Sequence, residues 1–287
     1  MILFISFNLG NTIFSIAIMR IQLTLTPSAG HGLLPVNYQY PLSAAIYKII
    51  WQADEKYSAF LHDVGYKLNG KSFKLFSFSD LRIPFRIQGD RLHINGSPAW
   101  LTISFHVEEA ATNFIRGLFI NQQLEIADKI SRAQFSVTNV QLLPDFFTSV
   151  HGTEPEVVLH PLSPLVVGRK NSKGNYDFLN PADPDFDEWL IHNWIEKYKA
   201  INGNVSIDVE AIKNRISIQL LTPKQEIKSR LITIKAFTPE QTQIRGFTKF
   251  RMKVRASKPL LELAMNAGLG LYNAQGMGCV EVSEIIS

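Results

Sequence analysis

Strand, helix, strands, helix and strand, in that order and then again, predict an α+β chain of two tandem ferredoxin-like (βαββαβ) domains with antiparallel sheets. Three observations carry this. Strand-like alternation begins at Arg20 and resumes at Val157. Each half holds two stretches with apolar residues at helical spacing. A loop near Pro144–Pro155 separates the halves. The halves share no self-similar sequence, so the repeat is one of elements. The expected organisation is an N-terminal domain over 19–150 and a C-terminal domain over 151–287.

The elements follow in order. Arg20–Thr26 alternates as a strand. Pro41–Gly65 is helical: Pro41 suits a first turn, and Leu42, Ala45, Ile46, Ile49 and Ile50 share a face. The helix is expected to break near Ala53 and resume over Tyr57–His62. Phe73–Phe78 is a strand, and Ile83–Ile87 with Arg91–Ile94 forms a hairpin over Gly89-Asp90. Trp100–Val107 is a strand and Glu108–Phe119 a helix; strands Leu124–Ala127 and Phe135–Leu143 close the first half. The second half opens with strand Val157–Val167 and helix Asp185–Ala200. Strands are expected at Val205–Ile212, Arg215–Leu221, Leu231–Phe237 and Gly246–Val254. Helix Pro259–Ala267 and strand Met277–Val282 complete the pattern.

The 287 residues are 46% hydrophobic and 19% charged, with a net charge of +4 and a pI of about 9.0. Such a chain can bury a sizeable core. One cysteine, Cys279, leaves no disulfide within the chain, which fits a reducing cytoplasm. Residues 1–18 are apolar but lack a basic n-region and a small-residue cleavage site. Asn8, Gly10, Asn11 and Thr12 interrupt the run, which argues against a membrane span. The segment is expected to be a non-native extension ahead of a start at Met19; an extra N-terminal strand is the plainer reading.

The positive charge is concentrated. Gln241–Leu261 contains no acidic residue, and within TKFRMKVR the cations fall at every second position. Lys249, Arg251, Lys253 and Arg255 would line one strand face, with Phe250, Met252 and Val254 in the core. A solvated face usually mixes signs. Four cations without an anion point to a polyanion, because phosphate neutralisation supplies most non-specific nucleic-acid affinity.

The stretch NAGLGLYNAQGMGCVEV carries Gly268, Gly270, Gly276 and Gly278 as two Gly-x-Gly pairs. They follow a helix and precede a strand, the reverse of a dinucleotide-binding fingerprint. No Gly-Lys-Ser/Thr is present for a Walker loop. Gly268 suits a helix C-cap. The other glycines would let backbone approach a ligand such as phosphate and aim N–H groups at it.

This loop resembles that of the repair-associated mysterious protein superfamily of CRISPR systems. More narrowly, VNYQYPLSAAIYKII, FLHDVGY and FKLFSFSDL are similar to the first helix, the histidine-bearing segment and the next strand of the Cas-six type endoribonuclease that processes precursor CRISPR RNA. LSPLVVGRK at 162–170 resembles the start of that family's second half. The resemblance covers residues 19–284. It implies a metal-independent endoribonuclease that cuts CRISPR repeat RNA without a cofactor, by 2′-OH attack, leaving a 2′,3′-cyclic phosphate and a 5′-OH. A non-catalytic RNA-binding subunit of a CRISPR effector complex is the alternative. Other effector subunits and a second copy of the chain are further candidate partners.

Strand scission through the 2′-OH needs acid–base groups and positive charge at the phosphate. Histidine suits the first task, with an ordinary pKa of about 6.5. The seven histidines are 31, 62, 93, 106, 151, 160 and 192, and no pair has a zinc spacing. Spacing alone selects none of them; a histidine at a helix end is ordinarily a cap or solvated. The resemblance assigns His62 as general acid/base, Tyr47 as an auxiliary and Lys74 as the phosphate stabiliser. An insertion between His62 and Lys74 leaves Lys67 and Lys71 as substitutes for the lysine. RNA binding falls to Lys249, Arg251, Lys253, Arg255 and the four glycines.

Overall fold

In a computed structural model, the described residues are 4–5, 19–148, 150, 152–203, 208–236 and 238–286. They form two compact units that a single cut does not separate. The first lies within Met1–Val64 and Ser79–Pro144, the second within Gly65–Phe78 and Asp145–Ser287.

The chain opens with β1 (Phe4–Ile5) and β2 (Met19–Pro35), then α1 (Gln39–Ala53), α2 (Glu55–Ala59) and a π-helical turn over Phe60–Val64. It next gives the second unit β3 (Tyr66–Leu68), β4 (Lys71–Phe73) and β5 (Phe76–Phe78). The first unit resumes with hairpin β6 (Phe85–Gln88) and β7 (Arg91–Ile94), then β8 (Ala99–Phe105), α3 (Glu108–Asn121), β9 (Gln123–Ala127) and β10 (Arg132–Leu142).

β2 is the hub of the first unit. It pairs antiparallel with β8, from Met19 opposite Phe105 to Leu25 opposite Ala99. Its other edge pairs with β10, and its end pairs with β7. It runs nine residues past the expected end at Thr26, because register shifts in its pairing with β10 accommodate the stretch through Pro27. Alternation places Ile21, Leu23 and Leu25 of β2 inside; on β8, Leu101, Ile103 and Phe105 are buried on one face and Thr102 and Ser104 on the other. The predicted face of α1 is buried too. It crosses α3 closely at Gly117, where a Cβ would lie 1.8 Å from the Ile49 carbonyl oxygen. α1 stops where expected. Asp54 turns extended, and its carboxylate accepts from the Tyr57 N–H at 2.9 Å, starting α2. β1 runs parallel to β10, with Phe4 opposite Asn139. The rest of the 1–18 expectation lies outside the described residues.

The second unit continues with β11 (Glu156–Pro161), hairpin β12 (Gly168–Lys170) and β13 (Tyr176–Phe178), α4 (Phe186–Asn202), α5 (Val209–Lys213) and β14 (Ser217–Leu220). Then come hairpin β15 (Lys228–Ile234) and β16 (Thr242–Thr248), β17 (Met252–Arg255), α6 (Lys258–Ala267) and β18 (Val280–Ile285). The sheet order is β14-β17-β11-β18 with every neighbour antiparallel. This is the ferredoxin-like order, with the first and third strands central. Trp194 of α4 is fully buried, and its indole N–H donates to the Leu260 carbonyl of α6 at 2.9 Å.

Four expected strands differ. The one over 157–167 ends at Pro161, and beyond it Leu165 makes only an isolated bridge to Phe247. Val209–Lys213 is helical because the Asp208 carboxylate accepts from the Ala211 N–H at 3.0 Å and caps it; residues 205–207 lie outside the described residues. The single strand over 246–254 is two, because Lys249 takes a left-handed φ of 56° between β16 and β17. The strand over 73–78 is broken in the same way at Leu75, φ 56°. Among the described residues, no helix is long and apolar enough to cross a membrane.

Candidate catalytic cluster and glycine-rich loop

In the first unit, α2 folds back on α1, and the Ser58 hydroxyl donates to the Tyr47 carbonyl at 3.2 Å. The following π-helical turn buries Leu61 and leaves His62, Asp63 and Val64 exposed. π-Turns are rare and concentrate at functional positions. The His62 ring stands nearly perpendicular to the Tyr47 ring, at 83°, with centroids 5.2 Å apart. His62 Nδ1 lies 2.7 Å from Asp63 Oδ1. The His62 side chain is 66% exposed, open to a large substrate. Burial pushes the Tyr47 phenol well above its ordinary pKa, so it stays protonated and can donate a hydrogen bond but not act as a base.

The lysines sit in the second unit. Lys67 is exposed on β3. Lys71 Nζ is 2.5 Å from Glu196 Oε2 and so is already engaged. Lys74 is half-buried between β4 and β5. Gly65, three residues after His62, has φ +61°, and a Cβ there would lie 2.7 Å from the Phe73 carbonyl oxygen and 2.9 Å from Lys74 Cδ. Only glycine admits that return of the β3–β4 hairpin.

The glycine loop is a self-packed structure. Gly268, Gly270, Gly276 and Gly278 all have positive φ, from +67° to +89°. A Cβ on Gly270 would lie 2.2 Å from the Val166 oxygen, and one on Gly278 1.9 Å from the Leu269 oxygen. The close approaches expected toward a ligand are thus made, at these two positions, to the protein's own backbone. Several loop N–H groups are likewise spent inside: Leu271 donates to Val166, Gly276 to Asn273 and Gly278 to Pro164.

The residue that organises the loop is one the sequence reading did not select. Lys197 of α4 is 3% exposed, and its ammonium donates to the Gly268 and Gly270 carbonyls, each at 2.8 Å, and to Asn273 Oδ1 at 2.5 Å. Asn273 Nδ2 in turn donates to the Leu269 and Met277 carbonyls. One lysine and one amide therefore tie the two Gly-x-Gly pairs together. Burial pushes the Lys197 pKa down to about 7. The available signal was positional: Lys197 follows Leu190 and Trp194 at helical spacing on the apolar stripe of α4.

The cation row is corrected in part. Phe250, Met252 and Val254 are buried, as expected from alternation. The row is not free of anions, however. Lys253 Nζ lies 3.3 Å from Glu156 Oε1, and Arg255 Nη2 lies 3.3 Å from Glu154 Oε2, carboxylates contributed from outside the 241–261 window. Lys249 and Arg251 are exposed and, among the described residues, have no carboxylate partner. Lys249 and Arg251 both lie outside β17, so only Lys253 and Arg255 of the row are on that strand.

Of the other histidines, His106 is largely buried and its pKa falls to about 4. His160 and His192 face Glu281 and Glu196 at 3.6 and 3.5 Å. His93 is exposed on β7. The side chain of His31 and all of His151 lie outside the described residues. Among the described residues, no group of three His, Cys, Asp or Glu could hold a metal ion.

Two family models divide this chain between them: CRISPR-associated protein Cas6, N-terminal, over residues 33–141, and CRISPR associated protein Cas6, C-terminal, over 148–282. The chain belongs to the Cas6 family. The Cas6 models take in His62, Tyr47 and Lys74 in the first match and the cation row and glycine loop in the second. A relative from Methanocaldococcus jannaschii, named CRISPR-associated endoribonuclease Cas6 1, is 26% identical over 275 residues, 91% of this chain and 92% of its own length. A second from Pyrococcus furiosus, named CRISPR-associated endoribonuclease Cas6, is 25% identical over 87% of this chain and 83% of its own. The solved structure of a Cas6-related gene product from Pyrococcus furiosus superposes with a TM-score of 0.74 at 21% identity, covering 93% of this chain and 99% of that one. That likeness is one of fold.

Proposed function

We propose that this chain is an endoribonuclease that cuts CRISPR repeat RNA to release mature CRISPR RNA, with the RNA's own 2′-OH as the nucleophile. The names of both relatives support the endoribonuclease class. The observation that carries the reading is the exposed His62 ring, set against Tyr47 and held at Nδ1 by Asp63. A carboxylate on one ring nitrogen fixes the tautomer and steadies the ring, so Nε2 is the nitrogen that would exchange a proton with substrate. The bond from the 2′-oxygen to phosphorus forms as the bond from phosphorus to the 5′-oxygen breaks. The 2′-OH loses its proton and the 5′-oxygen gains one, and His62 serves as acid or base in that exchange. Tyr47 supports the His62 ring. Lys74 is the proposed phosphate stabiliser, on the resemblance of FKLF to the family's strand. Lys249 and Arg251 are the cations best suited to hold the RNA backbone, because they are not committed to carboxylates.

The test is a cleavage assay on repeat RNA with excess EDTA and with a single 2′-deoxy substitution just upstream of the cut. We expect cleavage to persist in EDTA, products with a 2′,3′-cyclic phosphate (or the phosphate derived from it) and a 5′-OH, and binding without cleavage of the deoxy substrate. Cleavage of the deoxy substrate at the same bond, or a 5′-phosphate made only with Mg²⁺, would sink the mechanism.

A further inference from the structure

Trp189 of α4 is a large ring that the core does not claim. The inner stripe of this helix is Phe186, Leu190, Trp194 and Lys197, all buried. Trp189, His192, Glu196 and Lys199 fall at i, i+3, i+7 and i+10, a second stripe that is half-buried or exposed throughout. Trp189 and His192 meet edge to face, at 72° with centroids 5.7 Å apart. Both line two neighbouring cavities of the second unit, of about 210 and 240 Å³. Each is smaller than the roughly 300–1,000 Å³ of a small-molecule site, which suits them to parts of a longer ligand.

The two cavities differ in charge. The first sets Lys71 and Lys170 against Glu196 alone; the second sets Lys199 and Lys213 against Glu188, Glu196 and Glu210. Glu196 is itself engaged by Lys71 at 2.5 Å and His192 at 3.5 Å. The first cavity is therefore the one that favours an anion. Lys170 is exposed there, its ammonium 6.0 Å from the centroid of the Tyr176 ring, with no carboxylate partner among the described residues. Past Gly270 and Leu271 the same wall continues into a cavity of about 320 Å³, where Lys74 and Tyr272 join it.

We infer that Trp189 and Lys170 form a subsite for one nucleotide of single-stranded RNA, the ring taking the base whatever its identity and the ammonium taking its phosphate. The strand leaves this subsite toward the glycine loop, not toward α5, because the carboxylates lie on the α5 side. The inference rests on the proposed RNA-cutting function and gives the RNA a hold on the second unit besides Lys249 and Arg251. Every base has a π-face, so stacking on an open ring is sequence-tolerant, and the phosphate contact adds a salt-dependent share.

The test measures fluorescence polarisation with short single-stranded homopolymers of A, C and U over a range of salt, on the full chain and its variants. Trp189→Leu should weaken all three alike, by roughly 5- to 150-fold, the range for one lost base stack, and leave the salt slope unchanged. Trp189→Phe should recover most of that loss. Lys170→Ala should flatten the log–log slope by about 0.7, and Lys199→Ala, on the acidic side, should not. The exposed Lys170 keeps the test open should Trp189→Leu fail to fold. Wild-type affinity in Trp189→Leu, a loss confined to one base, or a slope that Lys170→Ala leaves intact or Lys199→Ala flattens equally would overturn the subsite. The two readings fail separately. Cleavage of repeat RNA that depends on His62 but is indifferent to Trp189 and Lys170 at every RNA concentration removes the subsite and leaves the nuclease. Homopolymer binding that depends on both residues, without cleavage of repeat RNA, does the reverse.

Discussion

Tyr47 and His62 meet ring to ring at 83°, with centroids 5.2 Å apart, although fourteen residues and a helix break lie between them. The Asp54 cap and the π-helical turn make that meeting possible: one reverses the chain after α1, and the other rotates His62 outward. His62→Ala should reduce cleavage about 10²- to 10⁴-fold, the usual contribution of a general acid–base group. RNA affinity should stay nearly unchanged, because proton transfer acts in the transition state. Single-turnover cleavage and filter binding on the same preparation check both, and wild-type cleavage by the variant would remove His62 from the mechanism.

Tyr47 separates into a ring and a hydroxyl. Because its phenol stays protonated, it is not a base, and Tyr47→Phe should keep cleavage within about 10-fold of wild type by preserving the ring beside His62. Tyr47→Ala, which removes the ring, should lose more. A Phe variant as inactive as His62→Ala would show that the hydroxyl itself takes part.

The cation row should divide in salt titrations. Each phosphate contact on single-stranded RNA contributes a log–log slope of about −0.7. Lys249→Ala with Arg251→Ala should flatten the slope by roughly 1.4 on that basis. Lys253→Ala with Arg255→Ala should flatten it less, since those cations already face Glu156 and Glu154. Equal effects from the two pairs would mean that RNA displaces the carboxylates.

Lys197 gives stability a pH dependence of known sign. Its folded pKa of about 7 lies below the ordinary lysine value of about 10.4. Between those values the unfolded chain holds a proton that the folded chain does not, so stability rises with pH across the interval. Lys197→Met should abolish this lysine's share of the rise. It should also lower stability at neutral pH by about 1–3 kcal/mol for each acceptor of the glycine loop left without a donor. Urea denaturation at several pH values tests both; an identical pH profile in the variant would show that Lys197 is not the titrating group.

Asp128 works in the opposite pH range. Burial tends to raise its pKa, but the backbone N–H of Ile130, the Arg91 guanidinium and the Ser131 backbone and hydroxyl together hold it below the ordinary value. Its contribution is therefore present above an ordinary carboxylate pKa of about 3.9 and is lost as the pH falls through the lower folded value. Asp128→Asn leaves the buried Arg91 without its closest carboxylate, at 2.6 Å, and should cost about 3–5 kcal/mol. A melting temperature unchanged in Asp128→Asn would show that Asp90 or solvent replaces it.

Periodicity exposed what repeats locally. The apolar face of α1, the hairpin at Gly89-Asp90 and the buried alternation of Phe250, Met252 and Val254 are all decided within one element, so the sequence displays them. What it hid depends on partners far along the chain. Glu156 neutralises Lys253 from a different strand, and Lys197 meets Gly268 seventy-one residues later. Single left-handed residues broke two expected strands at Leu75 and Lys249, where neither side chain signals a positive φ. Gly-x-Gly pairs announced a special loop but not its contents, because a glycine approached by a ligand and one approached by Val166 look the same in sequence.

The assignment of Gly65–Phe78 to the second unit has a consequence for biosynthesis. These residues leave the ribosome early, yet α4, α6 and the glycine loop are translated much later; 200 residues separate Phe78 from Gly278. At about 5–20 residues per second, the delay is roughly 10–40 s. Throughout it, Phe73 of the β3–β4 hairpin and Leu75, Phe76 and Phe78 after it, each no more than 9% exposed in the finished fold, belong to a stretch whose own unit is not yet complete. The nascent protein therefore carries a sticky apolar segment for most of its synthesis. Expression as two halves cut after Pro144 would make that condition permanent for the first half and leave the second without β3, β4 and β5.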